Sequence, residues 1–129
     1  MGVKSKNKHT RWMKYCLKKA KENEIDNYRH FAAVIKGGRL IHTGINNNKV
    51  GSLIDPLYEN KGCHAELMAL CKLTEEQIRG SVLYVAGWSR GNNMVTSKPC
   101  PVCQKYIAKF NLKAVYYSTP EGGYEELKM

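Results

Sequence analysis

The chain has 129 residues, of which 43% are apolar and 25% charged, with a net charge of +10 and a mean hydropathy of −0.50. That is enough for one domain with a real core and too little for two. No stretch approaches the ~18 apolar residues of a membrane span, and the basic N-terminus is not followed by an apolar segment, so neither a span nor a signal peptide is expected.

The charge is unevenly placed. Residues 1–21 hold eight basic groups (Lys4, Lys6, Lys8, Arg11, Lys14, Lys18, Lys19, Lys21) and no acid, whereas the rest of the chain is close to balanced. Residues 1–9 read as a basic flexible tail ahead of a single domain over 10–129. A polyanionic partner such as nucleic acid is one explanation of this segment, and a solvated helix face is the other.

Thr10 is placed to cap a helix from about Arg11 to Glu22, and Met13, Cys16, Leu17 and Ala20 recur at i, i+3, i+4, i+7 as its buried stripe. His30 to Lys36 and Arg39 to Ile45 read as strands joined by Gly37-Gly38, the residue pair that a tight hairpin turn favours. A long polar loop, Asn46 to Gly62, follows and reads as irregular. His64 to Leu73 reads as a helix, and Thr74 with Gln77 forms a capping-box pattern for one more turn ending at Gly80. Ser81 to Gly87 is nearly all apolar, as in a central strand. A second polar loop, Trp88 to Lys98, leads to a helix that starts at Pro101 and runs to about Phe110. Lys113 to Ser118 and Tyr124 to Lys128 read as the last two strands. Alternation of this kind predicts a three-layer α/β domain with helices covering a mixed sheet of four to five strands. The link Thr119–Gly123 is too short for a crossover helix, so the last strand is expected to be antiparallel to its predecessor.

The five cysteines are Cys16, Cys63, Cys71, Cys100 and Cys103. An odd number, one C-x-x-C pair and no secretion signal favour a reducing, cytoplasmic compartment and a metal site over a disulfide framework. Cys100 and Cys103 stand at i, i+3 at a helix start, so both point from one face, and the helix end stabilises their thiolates. His64 opens the preceding helix, and a crossover through the strand at 81–87 can bring the two helix starts together. Two thiolates and an imidazole select Zn2+, and three protein ligands leave the fourth position for water. Glu66, two residues beyond His64, is placed to accept a proton from that water and return it to a substrate. The competing arrangement is a closed structural zinc with a fourth ligand from Cys63, Cys71, His42 or His9, and it gives Glu66 no task. Cys16 and Cys71 read as core residues.

Three stretches, Ala32 to Asn46 (A-A-V-I-K-G-G-R-L-I-H-T-G-I-N), Cys63 to Leu67 and Ser97 to Cys103, resemble the cytidine deaminase superfamily over about residues 28–127. H-x-E followed by P-C-x-x-C is the signature of its zinc-dependent nucleobase deaminases. The resemblance implies a cytidine deaminase-like α-β-α domain and a hydrolytic deaminase with His64, Cys100 and Cys103 as zinc ligands and Glu66 as proton shuttle. It also implies that Asn46 contacts the substrate sugar and that the backbone of Ala65 and Cys100 contacts the base. A histidine ligand is typical of the deoxycytidylate, tRNA-adenosine and polynucleotide-editing branches, whereas the terminal hairpin with Gly122-Gly123-Tyr124 looks like the free-nucleoside branch. That branch carries glutamate where this chain has Asn48. Tyr28, Phe31 and Trp88 are candidate stacking partners for a base and equally candidate core residues. Arg90 and Lys98 are candidate phosphate contacts or solvated loop charges.

The expected function is therefore conversion of a free cytosine nucleoside or nucleotide to the uracil form with loss of ammonia. The alternative within the same chemistry is deamination of cytosine or adenine in single-stranded DNA or RNA. The alternative of another class is a non-catalytic, zinc-stabilised nucleic-acid-binding domain. The resemblance also points to a homo-oligomer, and no membrane partner is expected.

Overall fold

A computed structural model describes residues 2–23, 29–50, 62–89, 95–121 and 123–128. The element order is α1 (Gly2–Lys21), β1 (Arg29–Lys36), β2 (Arg39–Ile45), β3 (Asn47–Val50), β4 (Gly62–Cys63), α2 (Ala65–Leu70), α3 (Glu75–Ile78), β5 (Val82–Trp88), α4 (Pro101–Ile107), β6 (Ala114–Ser118) and β7 (Tyr124–Glu126). Five strands form one mixed sheet in the order β2-β1-β5-β6-β7. Among the described strands only the β5–β6 pair, bridged by α4, is parallel; β7 returns antiparallel to β6, as the short link requires.

Side-chain alternation along the central strands builds the three layers. Phe31, Ala33, Ile35, Tyr84 and Ala86 point to one face and pack against Met13, Cys16, Leu17 and Ala20 of α1. Ala32, Val34, Leu83 and Val85 point to the other face and pack against Leu67 and Leu70 of α2 and Cys103 and Ile107 of α4. A strand buried on both faces needs the continuous apolar run seen at 82–86. Cys16 is fully buried in the α1 layer, and burial pushes its thiol up to about 12, which leaves it an inert core group.

The β1–β2 hairpin closes through Gly37 and Gly38, both in the left-handed region, with Lys36 opposite Arg39. The capping box at Thr74 and Gln77 forms in both directions, and Gly80 (φ 76°) ends that turn.

Two expectations change. α1 begins at Gly2, so residues 2–9 extend the helix where a flexible tail was expected. The physical reason is tertiary: His9 Nδ1 lies 2.6 Å from the Tyr84 hydroxyl and its ring stacks near Tyr116, which carries the helix past Thr10. The loop 46–62 is not wholly irregular either. β3 and β4 pair as a short antiparallel ribbon, with Asn47 opposite Cys63.

β2 lies directly on α2. A Cβ on Gly44 would run into the Ala69 backbone N and sit 2.6 Å from the Ala65 carbonyl O, so it meets backbone and nothing flexible can yield. Gly44→Val should therefore push α2 off the sheet, at a cost of about 3 kcal/mol or more. The measurement is a denaturant midpoint, and a variant as stable as wild type would show that β2 and α2 do not pack this closely.

Candidate metal and active site

His64 and Cys100 occupy equivalent places, each the residue before the first turn of a short helix. His64 caps α2 in an extended conformation and Cys100 caps α4 in the same way. Pro101 at the first helical position favours this start, since its missing N–H would have had no partner there. The Cys100 sulfur then accepts from the Cys103 backbone N–H at 3.5 Å.

The parallel β5–α4–β6 crossover places the start of α4 beside that of α2. His64 Nδ1 lies 3.1 Å from Cys103 Sγ and 3.6 Å from Cys100 Sγ. The three donor atoms lie within 4.8 Å of one another, close enough to share one metal ion. Two sulfurs and one imidazole nitrogen, with no carboxylate among them, form the donor set that suits zinc rather than magnesium or calcium. The Cys100 thiol is pulled down to about 3, above all by a hydrogen bond from the Cys103 side chain. Burial opposes this, while the His64 side chain and the Cys103 backbone N–H add to it. Cys103 is fully buried, so the cluster has one wall in the core and one side toward the surface.

Glu66 is buried at 6% exposure in the first turn of α2, against this cluster. Burial raises its carboxyl above the usual carboxylate range. Its own backbone N–H, the charge of His64 and a hydrogen bond from the Cys103 side chain pull the other way, while Cys100 adds to the rise. A buried carboxyl beside a metal-ligating set can hold and release protons where solvent does not compete.

The loop that delivers Cys100 is fixed by two buried serines. Ser97 Oγ donates to the Val85 carbonyl and accepts from the Ser118 backbone N–H at 2.8 Å. Ser118 Oγ accepts from Gly87 N–H and donates to the Val95 carbonyl, both at 3.1 Å. This knot ties residues 95–97 to the ends of β5 and β6 just ahead of the cysteines.

His30 is a residue whose position the strand reading did not reveal. It stands opposite Gly87, where a Cβ would come within 2.8 Å of its ring. It shares the α2-facing side of β1 with Ala32 and Val34. Burial and the neighbouring His64 lower its pKa, while a hydrogen bond to the Ala86 backbone opposes them. The available signal was the two-residue alternation of β1, which puts position 30 on the site side.

The remaining candidates are distributed. Ala65 is buried at the start of α2. Asn46 Oδ1 accepts from His30 N–H at 2.8 Å and from Asn23 Nδ2 at 3.0 Å, which ties the end of α1 to the strands. Trp88 points to the α1 face, where its indole N–H donates to the Leu17 carbonyl at 2.6 Å, so it is not gathered with His64. Phe31 is buried in the same layer, edge-on to Tyr15. Lys98 is exposed. Tyr28 and Arg90 lie outside the described residues. Among the described residues, Cys71, His42 and His9 do not join the cluster, and the Cys63 side chain lies outside that description.

The family model for the cytidine and deoxycytidylate deaminase zinc-binding region matches residues 6–119. The apo crystal structure of dCMP deaminase from the cyanophage S-TIM5 is 26% identical, with a TM-score of 0.56, over 92% of this chain and 86% of that one. Two forms of RibD from Acinetobacter baumannii share the fold at 21% and 20% identity, with TM-scores of 0.56 and 0.54. They match over 86% and 84% of this chain, which spans little more than a quarter of theirs. A search of curated protein sequences gave no match.

Proposed function

We propose that this chain, which belongs to the cytidine and deoxycytidylate deaminase family, hydrolyses the exocyclic amine of a free cytosine nucleoside or nucleotide. The products are the uracil form and ammonia. The carrying observation is the convergence of His64, Cys100 and Cys103 with buried Glu66 beside them.

Zn2+ is the cofactor, and His64, Cys100 and Cys103 are the residues that would hold it. When bound, zinc lowers the pKa of a water from ~15.7 towards ~7. Glu66 supplies the proton traffic. Its carboxylate takes a proton from the attacking water and passes it to the ring nitrogen next to the amine-bearing carbon. It then carries the water's second proton to the departing amine, so the water oxygen remains as the exocyclic carbonyl on that carbon and ammonia leaves. The raised carboxyl of Glu66 suits a group that must accept and donate in one cycle. Ala65 and Cys100 would offer backbone groups to the base, and Asn46 would stand near the sugar. We place this chemistry in a reducing, cytoplasmic setting, where the thiolates of Cys100 and Cys103 stay available to a metal. No described helix is long and apolar enough to cross a membrane.

A panel of cytidine, deoxycytidine, their monophosphates, adenosine and single-stranded oligonucleotides tests the substrate assignment. We expect ammonia from one or more of the free cytosine compounds. Turnover confined to oligonucleotides would overturn the assignment in favour of the polynucleotide reading.

A further inference from the structure

We propose that the outer face of α1 is a docking track for single-stranded nucleic acid. Arg11, Lys14, Lys18 and Lys21 follow i, i+3, i+7, i+10, so they share one face of the helix, and Lys8 stands one turn before them. All five are exposed, and residues 1–21 contain no acid to neutralise them. From Lys8 to Lys21 the row extends about 20 Å at the rise of an α-helix. Of the lysines in this segment, Lys19 is paired with Glu22 at 3.6 Å, and it is not counted in the row.

Aromatic rings are interleaved with the cations. Trp12 and Tyr15 are half-buried and meet edge-on at 5.9 Å, with the Arg11 guanidinium 5.9 Å from the Trp12 ring centre and Lys19 Nζ 5.9 Å from that of Tyr15. Cations that follow a backbone beside aromatic rings are the features by which single strands are held without sequence preference; both rings here also pack against the α1 layer, so a base would meet only their exposed parts. Lys21 Nζ lies 5.3 Å from the Trp88 ring centre, and Arg29 joins the Lys21 carbonyl to that of Ser89. Asn23, just past the helix, is tied through Asn46 to the His30 backbone N–H at the start of β1.

An anionic membrane is the weaker match for the same charge. A helix that lies on lipid must insert an apolar face, and the apolar face of α1 (Met13, Cys16, Leu17, Ala20) is already buried against the sheet.

The zinc-loaded protein is titrated into a labelled oligothymidylate, whose bases carry no exocyclic amine, so binding is read apart from turnover. We expect binding that weakens linearly in log–log form with salt. In the R11A/K14A/K18A variant we expect at least tenfold weaker binding at low salt and a salt slope shallower by about 2, close to 0.7 per lost phosphate contact. Turnover of the free nucleotide and the thermal midpoint should be those of wild type. Unchanged oligonucleotide binding in this variant would overturn the proposal. So would equal or better competition by duplex DNA of the same length, or by phosphatidylserine vesicles. Loss of free-nucleotide turnover in wild type bears only on the proposed reaction.

Discussion

Glu66→Gln should give a folded, zinc-loaded protein that releases ammonia at least about 10²–10⁴-fold more slowly than wild type. The substitution keeps the volume and the acceptor oxygen that faces the Cys103 side chain and the residue's own backbone N–H. It removes only the ability to take up and give back a proton. Stability should change little or rise, because burial already disfavours a charge at this position. Zinc content by elemental analysis and ammonia release by a coupled assay separate the two roles. Zinc at one per chain with no turnover supports Glu66 as the proton carrier. Unchanged ammonia release would remove Glu66 from the mechanism. A wild-type protein that releases no ammonia from any substrate, with Glu66→Gln indistinguishable from it, would favour the non-catalytic zinc domain.

Much of this arrangement could be read from local chemistry. The hairpin at Gly37-Gly38, the capping box at Thr74 and the helix start at Pro101 each rest on interactions within a few residues, and each forms where the sequence placed it. The three residues that converge as a candidate metal site were legible for the same reason. Their types are rare, their spacing is that of a helix start, and a parallel crossover is the connection that brings two helix starts together. The features that stayed hidden depend on partners far along the chain. The continuation of α1 past Thr10 is supported by His9 meeting Tyr84, 75 residues away. The side to which Trp88 points follows from the parity of β5, and its hydrogen bond goes to Leu17, 71 residues away. The Ser97–Ser118 knot joins two positions that look like ordinary loop and strand polarity until β5 and β6 lie side by side. His30 required knowing which face of β1 the second helix covers. Substrate-contact residues were therefore the least legible, because a pocket wall is assembled from loops whose path no short-range rule specifies.

Cys103→Ala should lower bound zinc from about one ion per chain to a small fraction of that, abolish turnover and reduce the thermal midpoint by about 10–20 °C. Truncating the thiol alone accounts for little of this, since losing one buried sulfur costs about 1 kcal/mol. The larger part is linkage. A ligand present at 1,000 times its dissociation constant adds about 4 kcal/mol to folding, and at this chain length each kcal/mol moves the midpoint by roughly 4 °C. Cys103 is the member of the set best placed to show it. It is fully buried, its sulfur lies 3.1 Å from His64 Nδ1, and its side chain hydrogen-bonds both Cys100 and Glu66. Removing it also leaves the Cys100 thiol without the main interaction that keeps it deprotonated, so the remaining two donors bind poorly. Chelation completes the test. Stripping metal from wild type should lower its midpoint by a similar amount, and the same chelator should leave Cys103→Ala where it was. Cys71→Ala, which removes a half-buried thiol outside the cluster, should keep both its zinc and its response to the chelator. A Cys103→Ala protein that still holds one zinc per chain would show that the ion sits elsewhere.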